Sequence, residues 1–79
     1  MSAEENNTAT VEVQKWLQGT SYQIDMVDIT DNTVIVTVEG TGQLKSLQQL
    51  ANQLARTLRR PILLNFRTVP AQMSESKGP

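Results

Sequence analysis

The chain has 79 residues, with no cysteine, no histidine and a formal net charge of −1 from seven basic and eight acidic side chains. Its length limits it to one domain of modest stability. The composition excludes disulfide bonds, thiolate metal sites and imidazole chemistry, and the near-neutral charge argues against a dedicated nucleic-acid-binding protein. No unbroken apolar run exceeds three residues, whereas a membrane span needs roughly 20.

The segments at the two ends lack a buried-face pattern. Residues Met1–Asn7 are polar and acidic, unlike a signal peptide, and residues 71–79 contain serine, glycine and proline. We therefore predict disordered tails at 1–7 and 71–79, around a domain at 8–70. The lack of cysteine leaves the compartment open, a soluble cytoplasmic domain attached to a membrane protein being one option.

The first element of the domain is ambiguous between helix and strand. Over residues 8–18 the residues Ala9, Val13, Trp16 and Leu17 share one helical face. Gly19 follows where a helix often ends on glycine, and Thr8 or Thr10 could cap the start. These features favour a short helix anchored by Trp16, the only tryptophan. The alternation of Val11-Glu12-Val13 leaves a first strand as the alternative.

Two strands joined by a tight turn follow. Tyr22–Thr30 reads as a strand with broken alternation, and a β-bulge near Asp25–Val27 would return its apolar residues to one face. Asp31-Asn32 tolerates the positive φ that a hairpin turn requires. Thr33–Glu39 is the second strand. The apolar residues in question are Tyr22, Ile24, Met26, Val27 and Ile29 in the first strand, and the alternating Val34, Val36 and Val38 in the second.

A helix and a third strand complete the domain. The helix is predicted over Gln43–Arg60, with Thr41 or Gly42 as its cap and Pro61 beyond its end. Its apolar face comprises Leu44, Leu47, Leu50, Leu54 and Leu58. The last strand is Ile62–Val69, and a strand-helix-strand unit of this kind gives parallel strands. The sequence thus predicts an α+β fold, a single αββαβ domain whose three-stranded mixed sheet has its helices packed on one face.

Two motifs suggest ligand chemistry but fit ordinary structural roles better. Asp25, Asp28 and Asp31 recur every third residue, yet the usual calcium loop places its carboxylates at alternate positions around a glycine. Gly40-Thr41-Gly42 precedes a helix and Lys45 follows, but neither phosphate-binding fingerprint is complete. We interpret these residues as solvent-facing charges and turn formers, and we predict no metal and no cofactor.

Arginines near the end of the second helix form the one basic concentration. Arg56, Arg59 and Arg60 are close in the helix and Arg67 lies in the strand that follows. They form a candidate patch for RNA, lipid head groups at a membrane surface or an acidic protein. The alternative is a solvated helix end with cations that the helix dipole favours. With three aromatic residues in the chain, a base-stacking platform is hard to build.

No constellation of residues predicts catalysis. The serines have no histidine to activate them, no segment resembles a nucleophile elbow, and no acid–base pair of carboxylates is identifiable. We therefore predict that the protein is not an enzyme and has no small-molecule substrate. The last strand instead has apolar residues of both parities, Leu63 and Val69 on one and Ile62, Leu64 and Phe66 on the other. Leu63 and Val69 then form a candidate face for another protein or a second copy.

The predicted element order and the motif Val36-x-Val38-x-Gly40, followed by Ala51, Leu54 and Ala55, resemble a BON domain over about Thr10–Val69. BON domains are small bacterial αββαβ modules of envelope and membrane-associated proteins, and they usually have Gly-Val where this chain has Arg60-Pro61-Ile62.

A second pattern resembles the soluble C-terminal region of a family of bacterial, often cyanobacterial, multi-pass hydrophobic proteins of unknown function. It comprises Trp16-Leu17, Val36-x-Val38-x-Gly40, Leu50-Ala51, Leu58-x-Arg60-Pro61 and Val69-Pro70. Both resemblances imply a non-catalytic accessory domain near a membrane, with the parent protein or a second copy as partner. The alternative is a KH-like nucleic-acid-binding module using the four arginines, although the net charge and the missing Gly-x-x-Gly make nucleic acid an unlikely partner.

Overall fold

A computed structural model of the protein describes residues 2–71, which form two helices and three strands. The elements are α1 (Ser2–Leu17), β1 (Gln23–Thr30), β2 (Thr33–Glu39), α2 (Leu47–Leu58) and β3 (Leu63–Val69). The predicted α+β class and the αββαβ order are confirmed, and the first element is a helix. All but Ala71 of the predicted C-terminal tail lies outside the described residues.

The sheet is mixed and has the strand order β1-β2-β3. β1 runs antiparallel to β2, and β2 runs parallel to β3. The predicted bulge is present, because Ile24 pairs with Val38 and Met26 with Thr37, which leaves Asp25 opposite no residue. The bulge returns Ile24 to the face of Val27 and Ile29, as predicted. Met26 points to the other face and is 44% exposed, contrary to the prediction.

Both helices pack on the sheet face that carries the alternating valines of β2. Val34, Val36 and Val38 are fully buried there, and Trp16 at the end of α1 is 4% exposed. The remaining buried apolar residues are Ala9, Val13 and Leu17 of α1 and Leu50, Leu54 and Leu58 of α2. Helix periodicity and strand alternation thus meet in one core, because each puts its apolar residues on a single side.

Helix α1 is longer than predicted and includes residues 2–7, which the sequence analysis assigned to a tail. Neither predicted cap residue caps it: the Thr8 hydroxyl donates to the Glu4 carbonyl and the Thr10 hydroxyl to the Asn6 carbonyl, one turn earlier. Two glutamates in the first turn favour the positive end of the helix dipole. The helix ends before Gly19, whose φ of 86° fits the predicted role.

Helix α2 is shorter than predicted, because it begins at Leu47 and ends at Leu58. Its cap is Ser46, whose hydroxyl accepts a hydrogen bond from the Gln49 amide at 3.2 Å, and neither Thr41 nor Gly42 has this role. Leu47 is 43% exposed and therefore lies outside the buried face that it was predicted to share. Arg59 ends the helix in a left-handed conformation with a φ of 63°.

Contacts at one end of the domain fix the connection between β2 and α2. Trp16 Nε1 donates to the Ser46 carbonyl at 3.2 Å, which ties the end of α1 to the start of α2. Gly40 passes so close to the chain before β1 that an added Cβ would lie 2.7 Å from the Ser21 carbonyl oxygen. The glycine of the Val-x-Val-x-Gly motif is therefore explained by close backbone approach.

Candidate functional site

The face of the sheet opposite the helices is the first candidate site, and we call it the open face. The paired residues of the three strands form rows across it. Its members are Gln23, Met26, Asp28 and Thr30 of β1, Thr33, Ile35, Thr37 and Glu39 of β2, and Leu63, Asn65, Arg67 and Val69 of β3. No helix within residues 2–71 packs on this face, and Met26 and Leu63 are its exposed large apolar side chains, at 44% and 67%.

Leu63 and Val69, the two predicted interaction residues, both lie on the open face. Leu63 is 67% exposed, the highest exposure among the large apolar side chains that the structure describes, and Val69 is half-buried. They stand at opposite ends of β3, beside Thr33 and Glu39 respectively. The structure therefore puts them on one face but does not bring them into contact. Met26 adds an apolar side chain on β1 that the sequence had assigned to the core.

An apolar groove runs along the outer edge of β3, between that strand and α2. Leu47, Gln48 and Ala51 line it from the helix, and Ile62, Leu63, Leu64 and Phe66 line it from the strand side. Phe66 also packs edge-on against Trp16, with the ring centroids 5.5 Å apart. The sequence did not reveal this groove, because the pattern placed Leu47 in the core and gave no strand order.

Arg60 belongs to a structural ion pair. Its guanidinium donates to both carboxylate oxygens of Glu5, at 2.6 and 3.3 Å, and to the Asn32 side chain at 3.1 Å. The hydrogen bonds from Arg60 hold the pKa of Glu5 below its ordinary value of 4.5 and raise the pKa of Arg60. The pair joins the start of α1 to the end of α2. The guanidinium of Arg60 therefore has partners within the domain, Glu5 and Asn32.

The other three arginines of the predicted patch lie on different surfaces. Arg56 is exposed on the solvent side of α2, and Arg59 is exposed at its end. Arg67 lies on the open face, on the far side of the sheet from both helices, because its neighbour Phe66 faces the helices. Arg56 and Arg59 are therefore neighbours at the end of α2, and the sheet separates both of them from Arg67.

The glycine motif before α2 is occupied by internal hydrogen bonds. The Ser21 hydroxyl donates to the Thr41 carbonyl at 2.6 Å, and the Tyr22 hydroxyl donates to the Gly42 carbonyl at 2.7 Å. Lys45 Nζ donates to the Gln18 carbonyl at 2.8 Å. These bonds fix the loop against the start of β1. The helix itself begins at Leu47, five residues after Gly42, with its own serine cap.

The three aspartates have separate positions along the hairpin. Asp25 is the unpaired bulge residue, Asp28 lies on the open face, and Asp31 adopts a φ of 56° in the turn. Within residues 2–71, no group of three acidic, histidine or cysteine side chains is placed to hold a metal ion. Neither helix in that part of the chain is long and apolar enough to cross a membrane.

Comparison of the chain with protein-family models, curated proteins and solved structures found no match.

Proposed function

We propose that this chain is a non-catalytic accessory domain that acts by protein–protein contact, including self-association, through the open face or an edge strand of its sheet. We further propose, from the resemblances to BON domains and to the multi-pass hydrophobic proteins, that it works as a piece of a larger bacterial membrane-associated protein. Unrelated domains share the αββαβ order, so the resemblances rest on the sequence motifs.

The exposure of Leu63 is the observation that carries the proposal. Leu63 is 67% exposed on a strand. A partner that covers it lowers the free energy of the complex by about 25 cal/mol for each Å² of apolar surface buried. Single exposed leucines are common on protein surfaces. Leu63, however, shares its face with Met26, Ile35 and Val69, and it borders the apolar groove between α2 and β3.

Two alternatives receive less support. A nucleic-acid-binding role would use Arg56, Arg59, Arg60 and Arg67 together, whereas the sheet lies between Arg67 and the helix arginines and Arg60 is bound to Glu5. The non-catalytic character is proposed from the sequence, because the chain has no histidine, the commonest general base, to activate its serines, and no cysteine.

Sedimentation across a dilution series tests the proposal. We expect the wild-type chain to associate reversibly, and Leu63→Ser to raise the dissociation constant about tenfold or more. Val11→Ser is the matched control, since Val11 is 49% exposed on α1, away from the sheet. A wild-type chain that stays monomeric at the highest concentration contradicts self-association. Equal effects of the two substitutions contradict the role of this face.

A further inference from the structure

The outer edge of β3 has backbone N–H and C=O groups that are not paired within residues 2–71, and they belong to alternate residues of the strand. The Leu63 amide donates to the Asn32 carbonyl at 2.8 Å, and the Val69 carbonyl accepts from the Gly40 amide at 3.0 Å. In a parallel ladder, alternate residues bond to the same neighbour. Leu63, Asn65, Arg67 and Val69 therefore bond to β2. The N–H and C=O groups of Leu64, Phe66 and Thr68 point outward, and no residue within 2–71 pairs with them.

This edge has the features of a strand that accepts another strand. Over its seven residues it has no bulge in its pairing with β2 and one charged side chain, Arg67. Proteins usually block an exposed edge with charge, proline or a bulge. The prolines here, Pro61 and Pro70, stand outside the strand. Beside the edge lies the groove lined by Leu47, Ala51 and Phe66, which can take side chains from an added strand.

We propose that the occupant is β3 of a second copy of this chain, paired antiparallel about a two-fold axis at Phe66. This inference rests on the proposed function, since it names the partner and the contact of the same domain. Outward residues must face outward residues in an antiparallel pair. Only the register with Phe66 opposite Phe66 of the second copy engages all three of them, with Leu64 opposite Thr68. The result is a continuous six-stranded sheet.

The side chains of β3 complement one another in this register. Asn65 lies opposite Arg67 of the second copy, so the arginines do not face each other and each can donate to an amide oxygen. Leu63 lies opposite Val69, which covers both predicted interaction residues with apolar surface. On the helix side, the two Phe66 rings meet between the α2 helices of the two copies. Such cross-strand pairs are the unit of sheet stabilisation. The net charge of −1 adds little repulsion between copies.

A disulfide between residues 65 and 67 of different copies tests the register, because the natural chain has no cysteine. Residues 65 and 67 form a non-hydrogen-bonded pair, whose Cα atoms lie about 4.5 Å apart, within disulfide range. We expect a mixture of Asn65→Cys and Arg67→Cys chains to give mainly the mixed disulfide-linked dimer under mild oxidation. Each variant alone should cross-link at least tenfold more slowly. Mass spectrometry separates the mixed dimer from the two homodimers.

Charge substitutions at the same positions provide an independent measurement. Asn65→Arg places like charges opposite each other twice per dimer and should raise the dissociation constant about tenfold. Adding Arg67→Glu to that variant pairs opposite charges and should restore association. Fluorescence of Trp16, the only tryptophan, can follow the equilibrium because its ring contacts Phe66 at the two-fold axis.

The outcomes separate this inference from the proposed function. Association of the wild-type chain without the mixed disulfide, or with equally fast cross-linking of single variants, overturns the β3 pairing and leaves the interaction domain standing. Failure of Arg67→Glu to rescue Asn65→Arg also overturns the register. A wild-type chain that never associates overturns both. The selective mixed disulfide together with the rescue supports the pairing.

Discussion

Arg59 adopts a backbone conformation that costs a non-glycine residue free energy. Its φ of 63° and ψ of 39° lie in the left-handed region, and its amide donates to the Ala55 carbonyl to end α2. Most helices that end this way use glycine there, because a Cβ atom crowds the following carbonyl. Pro61 and the arginines predicted that a helix ends nearby. The residue that adopts the left-handed conformation could not be predicted, since none of the residues just before Pro61 is a glycine that would mark the position.

Replacing Arg59 with glycine should therefore stabilise the domain. We expect Arg59→Gly to raise the free energy of unfolding by about 0.5–1 kcal/mol, measured by urea denaturation. Arg59→Ala is the control, because it removes the same charge and keeps the unfavourable conformation. A gain of equal size in both variants would assign the effect to the charge and contradict the conformational explanation.

The first turn of helix α1 contacts a residue far away in the chain. Residues 2–7 carry no apolar periodicity, so local pattern predicted a tail. The Glu5 carboxylate nevertheless binds Arg60, 55 residues later. An ion pair between such distant residues depends on the packed fold, which local sequence does not contain. Further along the helix, Val13, Trp16 and Leu17 were predictable, because periodicity alone assigns them to the core.

The stability supplied by this ion pair should depend on pH. The Glu5 pKa is lowered on folding from its ordinary value of 4.5. Its contribution is therefore complete above that value and is lost as the pH falls through the lower folded value. We expect the stability difference between wild type and Glu5→Gln to shrink as the pH falls below 4.5, measured by urea denaturation at each pH.

The control for this titration is the same substitution in an Arg60→Gln background. Without the guanidinium, the Glu5→Gln change should alter stability little and without that pH dependence. A persistent pH-dependent difference in the Arg60→Gln background would assign the effect to another neighbour of Glu5.

At the scale of the whole molecule, one thin core holds the domain together. Two helices cover a single sheet face, and the buried leucines of α2 all lie in that layer. Alternation in β2 and the spacing of Leu50, Leu54 and Leu58 predicted this layer. Strand order could not be predicted, because pairing partners depend on the assembled sheet. The open β3 edge and its groove therefore emerged only from the structure.

A single truncation in that core should remove much of the stability. Leu54 is fully buried, and Leu54→Ala should cost about 2–5 kcal/mol, against a total stability of only about 5–15 kcal/mol for small domains. Leu47→Ala, the same change on the same helix at a 43% exposed site, should cost much less. The midpoints of urea denaturation compare the two. Similar losses would contradict the assignment of the buried face.

The bulge at Asp25 makes the two edge strands of the sheet, β1 and β3, differ in their ability to pair with another strand. β1 is the other edge strand, and its pairing with β2 is interrupted at Asp25, which is opposite no residue of β2. Asp25 and Asp28 also give this strand two acidic side chains. A kinked, acidic margin resists the addition of strands. The two-fold pairing through β3 that we propose would cover the other edge strand of the sheet formed by residues 2–71. In the proposed dimer, growth of the sheet would therefore stop at two copies, because the outer strands would both be β1.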